Sequence, residues 1–258
     1  MTTNDPETAT AKGVGSLSIR EPPRVLIPVE VLEGQTIPQP MVEFLAPAEI
    51  VVLGYHVLPE QTPTEQASIQ FEDRTRQAVD DIAQTFAAAG REVEKRVAFT
   101  HDRDKTLDRI AAEVDATAVL LPNPTGEISE VLVPIRGAVD VDRLADLVAT
   151  LLDGSDRRVT LWAVFGWSDT EAAQDALHEV ASKLHERGLS KGRIRTETSD
   201  VTTPTHAIVE RSGDFDVIVM GEGEQSLLET VIGDTTERIA EGAVAPVLVV
   251  RRGPTTSD

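Results

Sequence analysis

The residues of this chain that could do chemistry are few, and most lie around one glycine-rich stretch. Gly221-Glu-Gly223 follows an apolar run, Val217-Ile-Val-Met220, and nine residues separate Gly223 from Gly233-Asp234. Glycines so placed let backbone N–H groups approach a polyphosphate. A helix opening at Gly233-Asp234 would turn its N-terminus toward the same anion. The stretch also carries Glu222, Glu224, Glu229 and Asp234. A carboxylate at a helix N-terminus takes the anion's place as an N-cap. A phosphate beside such carboxylates meets like charge, costing roughly 1 kcal/mol per close pair in water. High salt or Mg²⁺ relieves part of that. The expectation is a spoiled anion cradle, with a capped helix and a tight turn where the cradle would be.

Other chemistry is thin. The five histidines are His56, His101, His178, His185 and His206. His178 and His185 sit two turns apart on one predicted helix face without a third ligand, so no metal site is expected. His56 at a strand end reads as packing, and His206 at a helix start as solvated. Asp102 and Asp104 beside His101 read as a helix N-terminus, not an acid–base dyad. The chain has no cysteine, which excludes a disulfide scaffold, a Cys-zinc or iron–sulfur site and a thiol nucleophile. No Gly-x-Ser-x-Gly elbow and no Ser/His/Asp spacing is present. The chain is therefore expected not to be an enzyme.

Composition narrows the class further. The 258 residues carry 24 basic and 44 acidic side chains, a formal net charge of -20. That balance repels phosphate backbones, so nucleic-acid binding is not expected. The acid is diffuse, and only five of the basic residues are Lys (12, 95, 105, 183 and 191). Such a surface suits a salt-loving cytoplasm, where molar salt screens self-repulsion to a few ångströms. No apolar run nears the roughly 20 residues of a membrane helix, and the N-terminus shows no basic-then-apolar leader. A cytoplasmic protein without membrane insertion is expected.

The elements that must position the glycine stretch come in two copies. Arg24-Val-Leu-Ile-Pro-Val-Glu30 recurs as Glu130-Val-Leu-Val-Pro-Ile-Arg136. Each copy reads as a buried strand with Pro toward its carboxyl end. A second strand follows (50–57; 159–165), then a long helix stopped by Gly90 or Gly188 (64–89; 169–187). A more polar strand comes next (92–99; 193–201), then a short helix (105–114; 204–212). An apolar strand closes the series, reached through Asp115–Leu121 and Asp214–Met220. Apolar strands alternating with helices mean βαβ crossovers and a parallel sheet. The second copy continues with a helix (234–241) and a last strand (246–250). The first copy stops at Leu121 and runs through Pro122-Asn-Pro-Thr-Gly126 into the second. Two prolines leave that linker too few N–H groups to hold a phosphate. The predicted organisation is a tail over 1–23, a truncated unit over 24–128, a complete unit over 129–252 and a tail over 253–258.

The second copy resembles the universal stress protein (UspA-like) family, and the whole chain looks like a tandem form of it with a haloarchaeal source. The residues that carry the resemblance are Val131-Leu-Val-Pro134, Val217-Ile-Val-Met-Gly221, Gly233-Asp-Thr-Thr-Glu-Arg-Ile239 and Ala245-Pro-Val-Leu-Val-Val250. It implies an α/β fold of two doubly wound parallel-sheet units, of the adenine nucleotide alpha hydrolase-like type. Strand order 3-2-1-4-5 and pairing through the last strand are part of it. Nucleotide-binding members carry Gly-x-x-Gly-x9-Gly-(Ser/Thr). Here Gly221 stands one residue too close to Gly223, and Asp234 replaces the hydroxyl, with Thr235 next to it. The family's Asp after the first-strand Pro is matched by Arg136, and by Glu30 in the first unit. Val164 and Val57 match the position bordering adenine. The first reading is a regulatory binding module without catalysis, acting through protein association. A homodimer through Val247–Val250 is expected, since an unpaired last strand is an edge that a second copy can pair; docking of that strand on the first unit is the alternative. A transporter is a further partner that the family suggests. The other reading is an ATP/AMP switch or slow ATPase, binding ATP with Mg²⁺ through Arg136, Val164, Gly221, Gly223, Gly233, Asp234 and Thr235. The absence of Gly-x-Gly-x-x-Gly after either first strand argues against a dinucleotide fold.

Overall fold

The structure is a computed structural model that describes residues 17–31, 36–61, 64–136, 139–165, 170–222 and 234–253. The first unit comprises β1 (Arg24–Glu30), α1 (Gln39–Leu45), β2 (Glu49–Val57), α2 (Thr64–Ala88), β3 (Val93–Thr100), α3 (Arg103–Glu113) and β4 (Ala118–Leu121). The second comprises β5 (Glu130–Ile135), α4 (Val141–Leu152), β6 (Arg158–Phe165), α5 (Thr170–Glu186), β7 (Ile194–Asp200), α6 (Pro204–Arg211), β8 (Val217–Gly221), α7 (Asp234–Gly242) and β9 (Val247–Val250). Residues 122–129 join them without helix or strand.

Among the described residues, all nine strands share one sheet in the order β3-β2-β1-β4-β9-β8-β5-β6-β7. Each half is parallel within itself. The second unit shows the 3-2-1-4-5 order that the resemblance implies. The halves meet where β4 pairs with β9 in antiparallel register, from Ala118↔Val250 to Leu121↔Val247. Composition explains why these two strands lie at the centre. Ala-Val-Leu-Leu and Val-Leu-Val-Val are buried at every position, and a strand covered on both faces must be apolar throughout.

This pairing is the docking of the last strand on the first unit, the alternative to a homodimer through Val247–Val250. β9 is hydrogen-bonded to β8 on one side and to β4 on the other, so its N–H and C=O groups have no edge to offer a second copy. The truncated first unit supplies the strand that a partner molecule would have supplied.

Helices cover both faces. Met41 and Phe44 of α1, Val79 and Phe86 of α2, Leu144 and Leu147 of α4 and Val180 and Leu184 of α5 share one apolar layer. Leu107 and Ile110 of α3, Ile208 of α6 and Ile239 of α7 lie in the other. The sequence reading lacked α1 and α4. α4 opens at Asp140, whose carboxylate accepts the Arg143 N–H at 3.0 Å. Asp102 opens α3 in the same way through the Lys105 N–H, at 3.1 Å. That contact bears out the helix N-terminus expected there, and the Lys105 backbone N–H also holds the Asp102 carboxyl below its ordinary range. Gly90 and Gly188 adopt φ of 78° and 106° after α2 and α5, a conformation suited to residues without a Cβ.

Side chains also weld the halves. The Asn123 amide donates to the carbonyls of Ala240, Ala243 and Ala245 at 3.2–3.4 Å. Within the second unit, Asp216 fastens the end of the linker to β5 by accepting the N–H groups of Ser129 and Glu130 at 2.9 Å. Arg143 of the second unit donates to Ala116 O of the first at 3.1 Å. The expected tail over 1–23 also needs correction at its end. Leu17–Pro23 make specific contacts, because Ser18 and Arg20 find hydrogen-bond partners on the second unit.

Candidate functional site

In a doubly wound sheet the natural crevice lies at the carboxyl ends of the strands, where the strand order reverses. In the second unit β5 pairs with β8 only at Val131↔Val217 and Leu132↔Ile218. The crevice therefore belongs to the ends of β5, β6 and β8. Pro134 sits past the last β5–β8 pair, where its missing N–H costs that ladder nothing.

The candidate residues described here do converge on that end of the sheet. Ile135 pairs with Ala163, so Arg136 and Val164 occupy the next level of their two strands. Gly221 ends β8 beside Val250. Gly223 and Gly233 lie outside the described residues, as do Glu224 and Glu229. Asp234 and Thr235 open α7, and only their backbone is described.

The described candidates already have partners. Val164 is buried in the apolar layer that includes Leu132, Trp162 and Met220, which matches a core role. Arg136 is exposed and donates from Nη1 to Thr205 Oγ1 at 3.3 Å in the first turn of α6. Glu222 turns its carboxylate to the backbone N–H of Arg252 at 2.8 Å, and its own N–H donates to Val250 O at 2.9 Å. Asp140 accepts the Gly253 N–H at 3.2 Å besides capping α4.

Gly221 is the most informative position. A Cβ placed on it would collide with Val139, whose side chain occupies that space. Val139 belongs to the connection between β5 and α4. The glycine thus lets this connection close down on the end of β8. Its lack of a side chain has a use in packing, beside the nucleotide-binding role that the alternative sequence reading gives it.

The first unit's corresponding edge is different. Glu30 ends β1, and Val57 ends β2. The segment after β4 is committed to the second unit through Asn123. His56 stacks edge-on against Phe71, with ring centroids 5.8 Å apart, as its packing role requires. His178, His185 and His206 are exposed. Among the described residues, no three His, Asp or Glu side chains are grouped to hold a metal ion. No helix described is long and apolar enough to cross a membrane.

Fold and site together define a doubly wound α/β protein whose sheet is continued by a second, shorter unit. The Universal stress protein family model matches residues 127–251, which is the complete unit. Among solved structures, a universal stress protein from Archaeoglobus fulgidus DSM 4304 is similar with a TM-score of 0.56 at 16% identity, covering 89% of this chain and 98% of that one. The cytoplasmic domain of a prokaryotic cation chloride cotransporter is similar with a TM-score of 0.50 at 13% identity, covering 89% and 95%. At these identities the likeness is one of fold. No curated protein sequence matches the chain.

Proposed function

We propose that this chain is a universal stress protein-like regulatory module of a halophilic cytoplasm that works by protein association and without catalysis. The observation that carries the reading is Val139 packed over Gly221. It gives the first glycine of the loop a structural duty, the close approach of the β5–α4 connection, that accounts for the glycine without a ligand. The carboxylates of the loop oppose a polyphosphate as well. The match of residues 127–251 to the Universal stress protein family supports the class. The net charge of -20 supports the halophilic setting. The fold shared with a cotransporter's cytoplasmic domain makes a transporter a reasonable class of protein partner to test.

A nucleotide switch is the second reading, and one observation favours it. α7 is described from Asp234, the residue after Gly233, so helix follows directly on the glycine stretch, and a helix N-terminus there would face an anion. In that reading Arg136, Val164, Gly221, Gly223, Gly233 and Thr235 bind ATP with Mg²⁺. Isothermal titration of the full chain with Mg-ATP in molar KCl separates the two. The association module gives no saturable heat at millimolar ATP. Saturable heat that Gly233→Glu abolishes overturns it in favour of the switch.

A further inference from the structure

The segment ahead of β1 is anchored at both ends and spans a cleft between them. At its start, Leu17 packs against the apolar layer that holds α4 and α5, and the Ser18 N–H donates to Arg187 O at 3.3 Å. Arg20 donates from Nε to Asp146 Oδ2 at 3.1 Å, with Nη1 3.4 Å from Asp142 Oδ2. At its end, Pro23 O accepts the Glu49 N–H at 3.0 Å, and the Arg24 N–H donates to Thr117 Oγ1 at 3.1 Å. Between the anchors lie Pro22 and Pro23, whose rings fix φ and hold the preceding residue extended. This stiff strut borders a cleft of about 770 Å³ between Glu49, Asp115 and Thr117 of the first unit and Asp140, Arg143 and Asp146 of the second.

The ion cluster at the first anchor is unequal in a telling way. Asp146 and Arg187 are buried, with 6% and 7% of their side chains exposed, whereas Arg20 is 53% exposed. Arg187 donates to Asp146 Oδ1 and to Asp142 Oδ1, both at 2.8 Å. Burial acts to raise the Asp142 carboxyl, but the Arg187 hydrogen bond and the charges of Arg20, Lys183 and Arg187 outweigh it and hold Asp142 below the ordinary range. The buried carboxylate thus keeps a charged partner without Arg20. Detaching Arg20 strands no buried charge, which is the outcome that makes breaking such clusters costly.

We propose that residues 17–23 form a releasable strap, clasped by Arg20, that ties the leading strand of the first unit to the α4–α5 face of the second and closes over the cleft between them. Release is a local opening, separate from unfolding of the sheet. It uncovers the seat of Leu17 and one wall of the cleft.

Limited thermolysin digestion of the full chain under native conditions tests this. Cleavage ahead of Ile19 tracks the population of the open strap. Arg20→Gln should raise that cleavage about five- to tenfold, the loss expected for a half-exposed charged hydrogen bond. Arg20→Lys should restore part of the protection. Hydrogen-exchange protection of Val247–Val250 should stay at the parent level in both variants. Cleavage unchanged in Arg20→Gln and in a second variant, Leu17→Ser, overturns the clasp. Faster cleavage accompanied by lost protection of β9 overturns release as a local event.

Discussion

Gly221 shows how one residue type can serve two opposite purposes. A glycine at the end of β8 is what a phosphate cradle needs, and it is also what close packing of the β5–α4 connection needs. In this chain Val139 fills the space that a side chain at Gly221 would take, which is the packing use. Gly221→Ala should therefore destabilise the protein by about 1–3 kcal/mol, the cost of overpacking a filled site. Adding Val139→Ala should return most of that loss, because the added methyl then has a place to go. Urea unfolding of both single variants and the double variant measures the coupling. Additive effects would mean that Gly221 is kept for another reason. From sequence, the glycine and its neighbours were legible, but the choice between the two purposes was not. It depends on a residue eighty-two positions earlier in the chain, and no local pattern links the two.

At the scale of elements, legibility followed burial and length. The strands β1, β2, β4 to β6, β8 and β9 are apolar runs, and the long helices α2 and α5 end at glycine, so each announces itself. α1 is a seven-residue helix with Pro at its start, too short to show a period. α4 was readable in principle. Asp140 is a good N-cap, and Leu144, Leu147, Val148, Leu151 and Leu152 recur at helical spacing. Its polar face is so narrow that it reads equally as a buried strand. The linker after β4 was read correctly as unfit for phosphate, but its actual work was hidden. Asn123 donates to three carbonyls around the end of α7, satisfying acceptors that a helix C-terminus leaves open. Asn123→Ala should cost about 1–2 kcal/mol through those uncovered carbonyls. Hydrogen exchange should quicken first in the last turn of α7 and in the Ala243–Val247 turn. A loss of protection spread evenly over the sheet would refute a local capping role.

At the scale of the whole molecule, the two units make one sheet because each completes the other. The first lacks a fifth strand, so β4 would be an apolar edge if the unit stood alone. The second has its fifth strand, and β9 would be an equally apolar edge. Two such edges on one chain are a liability, and pairing them internally removes both. The antiparallel sense follows from the same event, since β4 and β9 belong to half-sheets that run in opposite directions. The sequence displayed both strands and the missing element. It left open whether β9 would meet β4 or a second molecule, because both outcomes bury the same apolar faces. The short linker, fastened through Asn123 and Asp216, favours the internal pairing by holding β4 next to β9 at high effective concentration. This arrangement makes a prediction about folding that differs from that for a strand-paired dimer. Leu248 is fully buried between its neighbours on β4 and β8. Leu248→Lys would place a charge in the core of a single chain, at a cost of several kcal/mol. In a dimer joined through β9, the parent's thermal midpoint would rise with protein concentration. Pairing within one chain predicts a parent midpoint independent of concentration, and a Leu248→Lys variant that loses cooperative unfolding as one unit. Calorimetry of the parent at two well-separated concentrations, with light scattering on the parent, distinguishes them. A dimeric parent whose midpoint rises with concentration would overturn that prediction.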